Sequence, residues 1–148
     1  MLDNASKDQL RVHFKDWAAK AFDAENPRRE QRLYGTVFCA RYKYFIQIDE
    51  GALRSVVYDA PQATERDPYG EGYVNFVKAD WEPTSEDIPE EDKDLEPYEP
   101  IERCCDEDVG WMKLMSTQLT ATFYNDMSGF SQEWYCYYKR PPEIAFVL

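Results

Sequence analysis

Histidine is almost missing from this chain, and the other usual carriers of neutral-pH chemistry lack any recognisable arrangement. The single histidine, His13, sits beside the apolar stripe of a helix, and no serine or cysteine is spaced to it as a nucleophile. General acid–base work needs a group of near-neutral pKa held in a cleft, so no catalytic residue is expected. Of the four cysteines, Cys104 and Cys105 are adjacent, without the two-residue gap of a zinc knuckle, and Cys39 and Cys136 lie far off. Neither a metal site nor a cofactor is expected. Long apolar runs are also missing. No stretch approaches the ~18 consecutive apolar residues of a membrane span, and the opening MLDNASKDQL has no basic region followed by an apolar run. An intracellular protein, cytoplasmic or nuclear, with reduced thiols is the expectation. Basic clusters are limited to Arg28, Arg29 and Arg32, too few for a phosphate-tracking surface, so direct nucleic-acid binding is not expected. Gly70 and Gly72 in DPYGEGY form a bare Gly-x-Gly without a preceding strand, which reads as a turn rather than a phosphate cradle.

What is present is acid, concentrated in one place. The net charge is −12, from 29 acidic and 17 basic residues. Asp80 to Asp108 holds 14 of the acids and two of the bases, Lys93 and Arg103; the remainder, 15 acids and 15 bases, is neutral. Pro83, Pro89, Pro97 and Pro100 interrupt this segment, so an extended acidic loop is predicted within a single domain, residues 1–148. Asp92, Asp94 and Glu96 alternate as calcium ligands do, but Pro97 stands where such a loop needs glycine and Arg103 where it needs glutamate. Aromatic residues make up 16% of the chain, and their polar tips and apolar bodies suit half-buried positions and interfaces.

The patterning predicts an α+β fold. Asn4 or Ser6 caps a helix with Leu10, Phe14, Trp17, Ala21 and Phe22 on one face, ending near Glu25 ahead of Pro27. An antiparallel meander is predicted over residues 33–58, with strands at about Leu33–Cys39, Tyr42–Ile48 and Leu53–Tyr58. The helix is expected to cover the face carrying Tyr44, Ile46 and Ile48. Tyr73–Lys78 reads as a strand or a helix start, Trp111–Leu119 as a helix or alternatively a strand pair, and Trp134–Lys139 and Ile144–Leu148 as C-terminal strands joining the sheet.

Residues 9–49, from Gln9 through Arg28, Arg29 and Gly35 to Asp49, resemble the restriction-endonuclease-like region of fungal-specific protein-kinase-like proteins: a helix, a short arginine-bearing connector, a glycine and two strands ending in an acid. The resemblance covers about a third of the chain. It implies a retained scaffold, because the nuclease's metal-binding residues would lie upstream of the matching helix and no kinase loop signature follows.

These observations favour a non-enzymatic interaction protein. Its acidic loop and aromatic anchors would dock a protein partner with a basic surface. The expected contact residues are Trp81, Glu86, Asp87, Glu90, Glu91, Asp92, Asp94, Glu96, Tyr98 and Trp111. One alternative is a small-ligand protein or enzyme with a pocket lined by Tyr42, Tyr44, Tyr135, Tyr137 and Tyr138. Another is an acidic mimic of nucleic acid that inhibits a DNA- or RNA-binding protein.

Overall fold

Ser6 starts the first helix as its capping chemistry demands. Its hydroxyl accepts from the Gln9 amide while the Gln9 side chain accepts from the Ser6 amide, a reciprocal capping box that begins α1 (Lys7–Glu25). Asn26, ahead of Pro27, closes the helix by returning its amide to the Phe22 carbonyl. The computed structural model describes residues 5–28, 35–59, 72–83, 98–129 and 132–146. In chain order, α1 is followed by a 3-10 turn (Gly35–Phe38), α2 (Ala40–Lys43), β1 (Tyr44–Gln47), α3 (Glu50–Arg54) running into a π turn (Ser55–Asp59), β2 (Tyr73–Lys78), β3 (Trp111–Met115), a 3-10 turn (Ser116–Gln118), α4 (Ala121–Asp126), α5 (Gln132–Tyr137) and β4 (Ile144–Ala145). The four strands form one sheet in the order β1-β2-β3-β4, antiparallel except for the parallel β3–β4 pair.

The α+β class holds, but the sheet is built from other segments than the meander. Only the middle strand of residues 33–58 forms, over Tyr44–Gln47. Where the first strand was expected, Gly35–Phe38 is a 3-10 turn and Ala40–Lys43 a helical turn; residues 33 and 34 lie outside the described residues. Where the third was expected, Asp49 caps α3 through its carboxylate on the Ala52 amide, so Leu53, Val56 and Val57 coil despite their strand propensity. The partner of β1 is instead β2, whose Val74, Asn75, Phe76 and Val77 are buried, as befits a strand flanked on both edges. Trp111–Met115 is a strand and Gln132–Tyr137 a helix; the latter reverses the strand expected at Trp134–Lys139, and among the described residues of the predicted C-terminal strands only Ile144–Ala145 pairs, residues 147 and 148 lying outside them.

Side-chain alternation then separates two cores. Tyr44, Val74, Phe76, Met112 and Leu114 face α4 and α5 and pack with Phe123, Met127 and Trp134. Trp134 is fully buried and lies parallel to Tyr44, with ring centres 5.7 Å apart. Val77, Val109 and Trp111 form the opposite cluster with Phe45, and Phe14 of α1 lies 5.1 Å from the Phe45 ring. The first helix therefore covers the Phe45 face, not the Tyr44 face, because the C-terminal helices already occupy the latter. Its buried residues are Lys7, Arg11 and Ala18 rather than the expected all-apolar stripe, while Trp17 stays exposed.

Candidate docking site

Three cations fix the described ends of the acidic segment. Arg11, 4% exposed, donates from Nε to the Lys78 carbonyl and from Nη2 to the Val109 and Gly110 carbonyls, and its guanidinium lies 4.7 Å from the Trp81 ring. Lys7 lies 3.8 Å over Trp111 and pairs with Glu102 at 2.7 Å. Glu102 and Arg103 both have positive φ, in a tight reversal closed by mutual hydrogen bonds between Ile101 and Cys104. Arg140 donates to the carbonyls of Asp106, Glu99 and Cys104 and stands 5.1 Å from the Tyr98 ring. Each positive charge is matched to a ring face or to carbonyl oxygens that a loop leaves over.

Asp108 is the knot. Its carbonyl accepts from Trp81 Nε1, one carboxylate oxygen from the Gly110 amide at 2.7 Å, and the other from Trp134 Nε1 at 3.0 Å. Beside it, the Tyr138 hydroxyl donates to the Glu107 carbonyl and accepts from the Val109 amide; burial pushes this phenol up to about 12. Burial also raises the Asp108 carboxyl above its ordinary 3.8, against the lowering pull of its hydrogen bonds and of Lys78 and Arg11. Between the ordinary and the raised value the folded chain holds this proton more tightly than the unfolded chain, so Asp108's contribution to stability is lost as pH rises through the folded value. Asp108→Asn presents an NH2 to one of the two N–H donors and is expected to cost about 1–3 kcal/mol. That cost should shrink as pH rises from the acid range to neutrality, as read by urea denaturation at a series of pH values.

The pinned ends enclose a surface cleft of about 460 Å³ lined by Lys78, Asp80, Trp81, Glu82, Asp106, Glu107, Asp108 and Tyr135. Five carboxylates thus face a single ammonium, and Lys78 lies 5.8 Å from the Tyr135 ring. A cation entering here would meet an excess of carboxylates together with aromatic surface. On the α1 side lies a smaller hollow of about 220 Å³, lined by Lys15, Ala18, Ala19, Thr36, Tyr42, Lys43, Ala79 and Asp80.

Of the residues expected to contact a partner, Trp81 lines the cleft and Tyr98 is exposed on the Arg140 side. Trp111 is only 8% exposed and packs under Lys7, so it belongs to the core rather than to a free surface. Glu86, Asp87, Glu90, Glu91, Asp92, Asp94 and Glu96 lie outside the described residues. The five tyrosines of the alternative pocket do not line one described cavity: Tyr44, Tyr137 and Tyr138 pack in the same core, while Tyr42 lines the α1-side hollow and Tyr135 the acidic cleft. Tyr42 donates to Glu25, Tyr44 is buried between Phe76 and Trp134, Tyr135 is exposed in the acidic cleft, and Tyr137 meets Phe123 and Asp126. The cause is the helical turn at Gln132–Tyr137, which rotates successive side chains by about 100° instead of setting alternate ones on one sheet face. Tyr138, beyond that helix, is tied to the loop end through Glu107.

Protein-family models, curated proteins and solved structures yield no match to this chain.

Among the described residues no group of three or more histidine, cysteine, aspartate or glutamate side chains could hold a metal ion, and no helix is long and apolar enough to cross a membrane. The cysteines are free, and burial raises the Cys104 thiol. Sequence reasoning missed Lys7, Arg11, Lys78 and Arg140 as parts of this region, and it gave Asp108 only as the end of the acidic segment. The one available signal was the spacing of Lys7, Arg11, Phe14 and Ala18, which share a helical face.

Proposed function

We propose that this protein is a non-enzymatic interaction module that docks a partner with a basic surface through its acidic segment, residues 80–108. The observation that carries this reading is the cleft at the segment's two ends, where five carboxylates and the rings of Trp81 and Tyr135 surround one lysine. The acids draw a basic partner in and select against acidic ones. Desolvated aromatic contacts supply most of the affinity. Because Arg11, Arg140 and Asp108 hold the ends in place, the cleft acts as the receptor for a lysine or arginine side chain, and the acids between Glu86 and Glu99 add to the chain's negative charge.

The test is a pull-down from native extract at physiological salt, where weak charge contacts are screened. The intact chain is compared with a variant carrying Gln and Asn for the acids between Glu86 and Glu99, and with Glu82→Gln/Glu107→Gln in the cleft. A stoichiometric basic protein held by the intact chain and lost from both variants is expected. Equal recovery by all baits, or none by any, would show these acids to be a solvated surface. Capture of a nucleic-acid-binding protein through its nucleic-acid groove would favour mimicry instead.

A further inference from the structure

Among the described residues the outer edge of β1 has no neighbouring strand, and its hydrogen-bonding pattern can be read from the register. Tyr44 pairs with Lys78 and Ile46 with Phe76, while the Ala79 amide donates to the Lys43 carbonyl. In an antiparallel ladder this assigns the main-chain groups of residues 43, 45 and 47 to β2 and turns those of 44, 46 and 48 outward. The Tyr44 amide is taken up by the Ala40 carbonyl at the end of α2. That leaves the Tyr44 carbonyl, both main-chain groups of Ile46 and the Ile48 amide on the free side of a strand that forms the sheet edge. Exposed edges are normally blunted by charge, proline or a bulge. This one instead carries Ile46 at 45% and Ile48 at 64% exposure. Leu53, Val56, Val57 and Tyr58 of the following α3 and π turn are exposed as well, which gathers six exposed large apolar side chains into residues 46–58.

We infer that β1 is a homodimerisation edge, pairing antiparallel with β1 of a second copy about a two-fold axis at Ile46. The outward groups are self-complementary in one register. Ile46 meets Ile46 and exchanges both hydrogen bonds, and the Tyr44 carbonyl of each copy accepts from the Ile48 amide of the other. This gives an isologous contact that joins two four-stranded sheets into one of eight strands. The same register brings the Lys43 end of one copy to the Asp49–Glu50 end of the other. Lys43 donates to the Gly129 carbonyl, and Asp49 accepts from the Ala52 amide and from Asn75, but among the described residues neither they nor Glu50 make an ion pair, so the opposite charges at the two ends attract without either internal contact being given up. The chain's excess negative charge lies wholly within residues 80–108, and the rest is neutral by count. Nothing in the inference depends on the docking reading.

The experiment is sedimentation of the full chain across micromolar to submillimolar concentration, beside Ile46→Lys, which places like charges directly opposite each other at the axis. A twofold rise in mass for the native chain, with at least a tenfold weaker association for the variant at unchanged circular dichroism, is expected. A native chain that stays monomeric throughout overturns the inference, as does a dimer indifferent to Ile46→Lys. Should that variant fail to fold, Ile46→Cys in a background with Cys105→Ser and Cys136→Ser decides the matter. Residues paired across the axis stand about 5.5 Å apart at Cα, within disulfide reach. Rapid cross-linking under mild oxidant, faster than that of Val12→Cys on exposed α1, supports the pairing. Equal rates overturn it.

Discussion

Gly110→Ala is expected to destabilise the fold by about 2–5 kcal/mol, a large share of the roughly 5–15 kcal/mol that holds a domain together. Two physical effects combine. Gly110 has φ +72°, a left-handed conformation that costs a residue with a side chain about 1–2 kcal/mol. A methyl built there would also overlap Cγ and Cδ2 of the Trp81 indole, and overpacking of this kind costs about 1–3 kcal/mol. The indole cannot retreat, because Arg11 lies over its ring and its Nε1 is bound to the Asp108 carbonyl. Gly35 supplies the control. Its φ is +58° with nothing within 4 Å of a built methyl, so Gly35→Ala should show the backbone effect alone, about 1–2 kcal/mol. Equal losses for the two variants in urea denaturation would mean that the Trp81 packing is not the constraint. If the docking reading is right, Gly110→Ala should also weaken partner capture under conditions where the variant is still folded, since Trp81 lines the cleft.

Arg11→Met is the second large effect expected, at about 2–4 kcal/mol. Methionine keeps most of the apolar volume of the arginine stem but removes the donors to the Lys78, Val109 and Gly110 carbonyls and the cation over Trp81. A buried acceptor stripped of its partner costs about 1–3 kcal/mol; the Gly110 carbonyl is partly protected because it still accepts from the Lys78 amide. The pair formed by Arg11 with Asp8 is a poor guide to this cost. The Asp8 side chain is 84% exposed, so Asp8→Asn should change stability by no more than about 0.5 kcal/mol. Denaturation midpoints of the two variants test the contrast directly. A small loss for Arg11→Met, comparable to that for Asp8→Asn, would show that the carbonyl cluster finds other donors.

Local features were legible before the structure. The Ser6 cap and the stop ahead of Pro27 delimit α1 because both act within a few residues of the helix ends. The alternation in Tyr73–Lys78 left a strand among its readings, and the short strand at Ile144 follows the proline pair as expected. Elsewhere propensity misled. Val56 and Val57 favour strands by side-chain shape, yet the Asp49 cap starts a helix that carries into them. Trp134, Tyr135 and Tyr137 read as an aromatic strand, but a helix lets Trp134 reach Tyr44 and Phe76 together while its indole N–H finds Asp108. In the candidate site, the acids and Trp81 were visible by composition. The cations that hold the loop ends were not, because lysine and arginine on a helix ordinarily read as its solvated face.

What the amino-acid sequence determined by itself is the sum of local and additive properties: where the charge lies, where the first helix starts and stops, and that helices and strands coexist. Charge adds residue by residue, and a cap involves partners no more than a few positions apart. The tertiary structure alone decided which side of the helix is inside, which face of β1 it covers, and that Trp111 is core while Trp81 borders a cleft. Those outcomes depend on contacts such as Arg11 with Lys78 and with Gly110, separated by 67 and 99 positions. A cation is buried there because the sheet and the returning loop present carbonyls and indole rings that satisfy it, and no local pattern around Arg11 records where they will be.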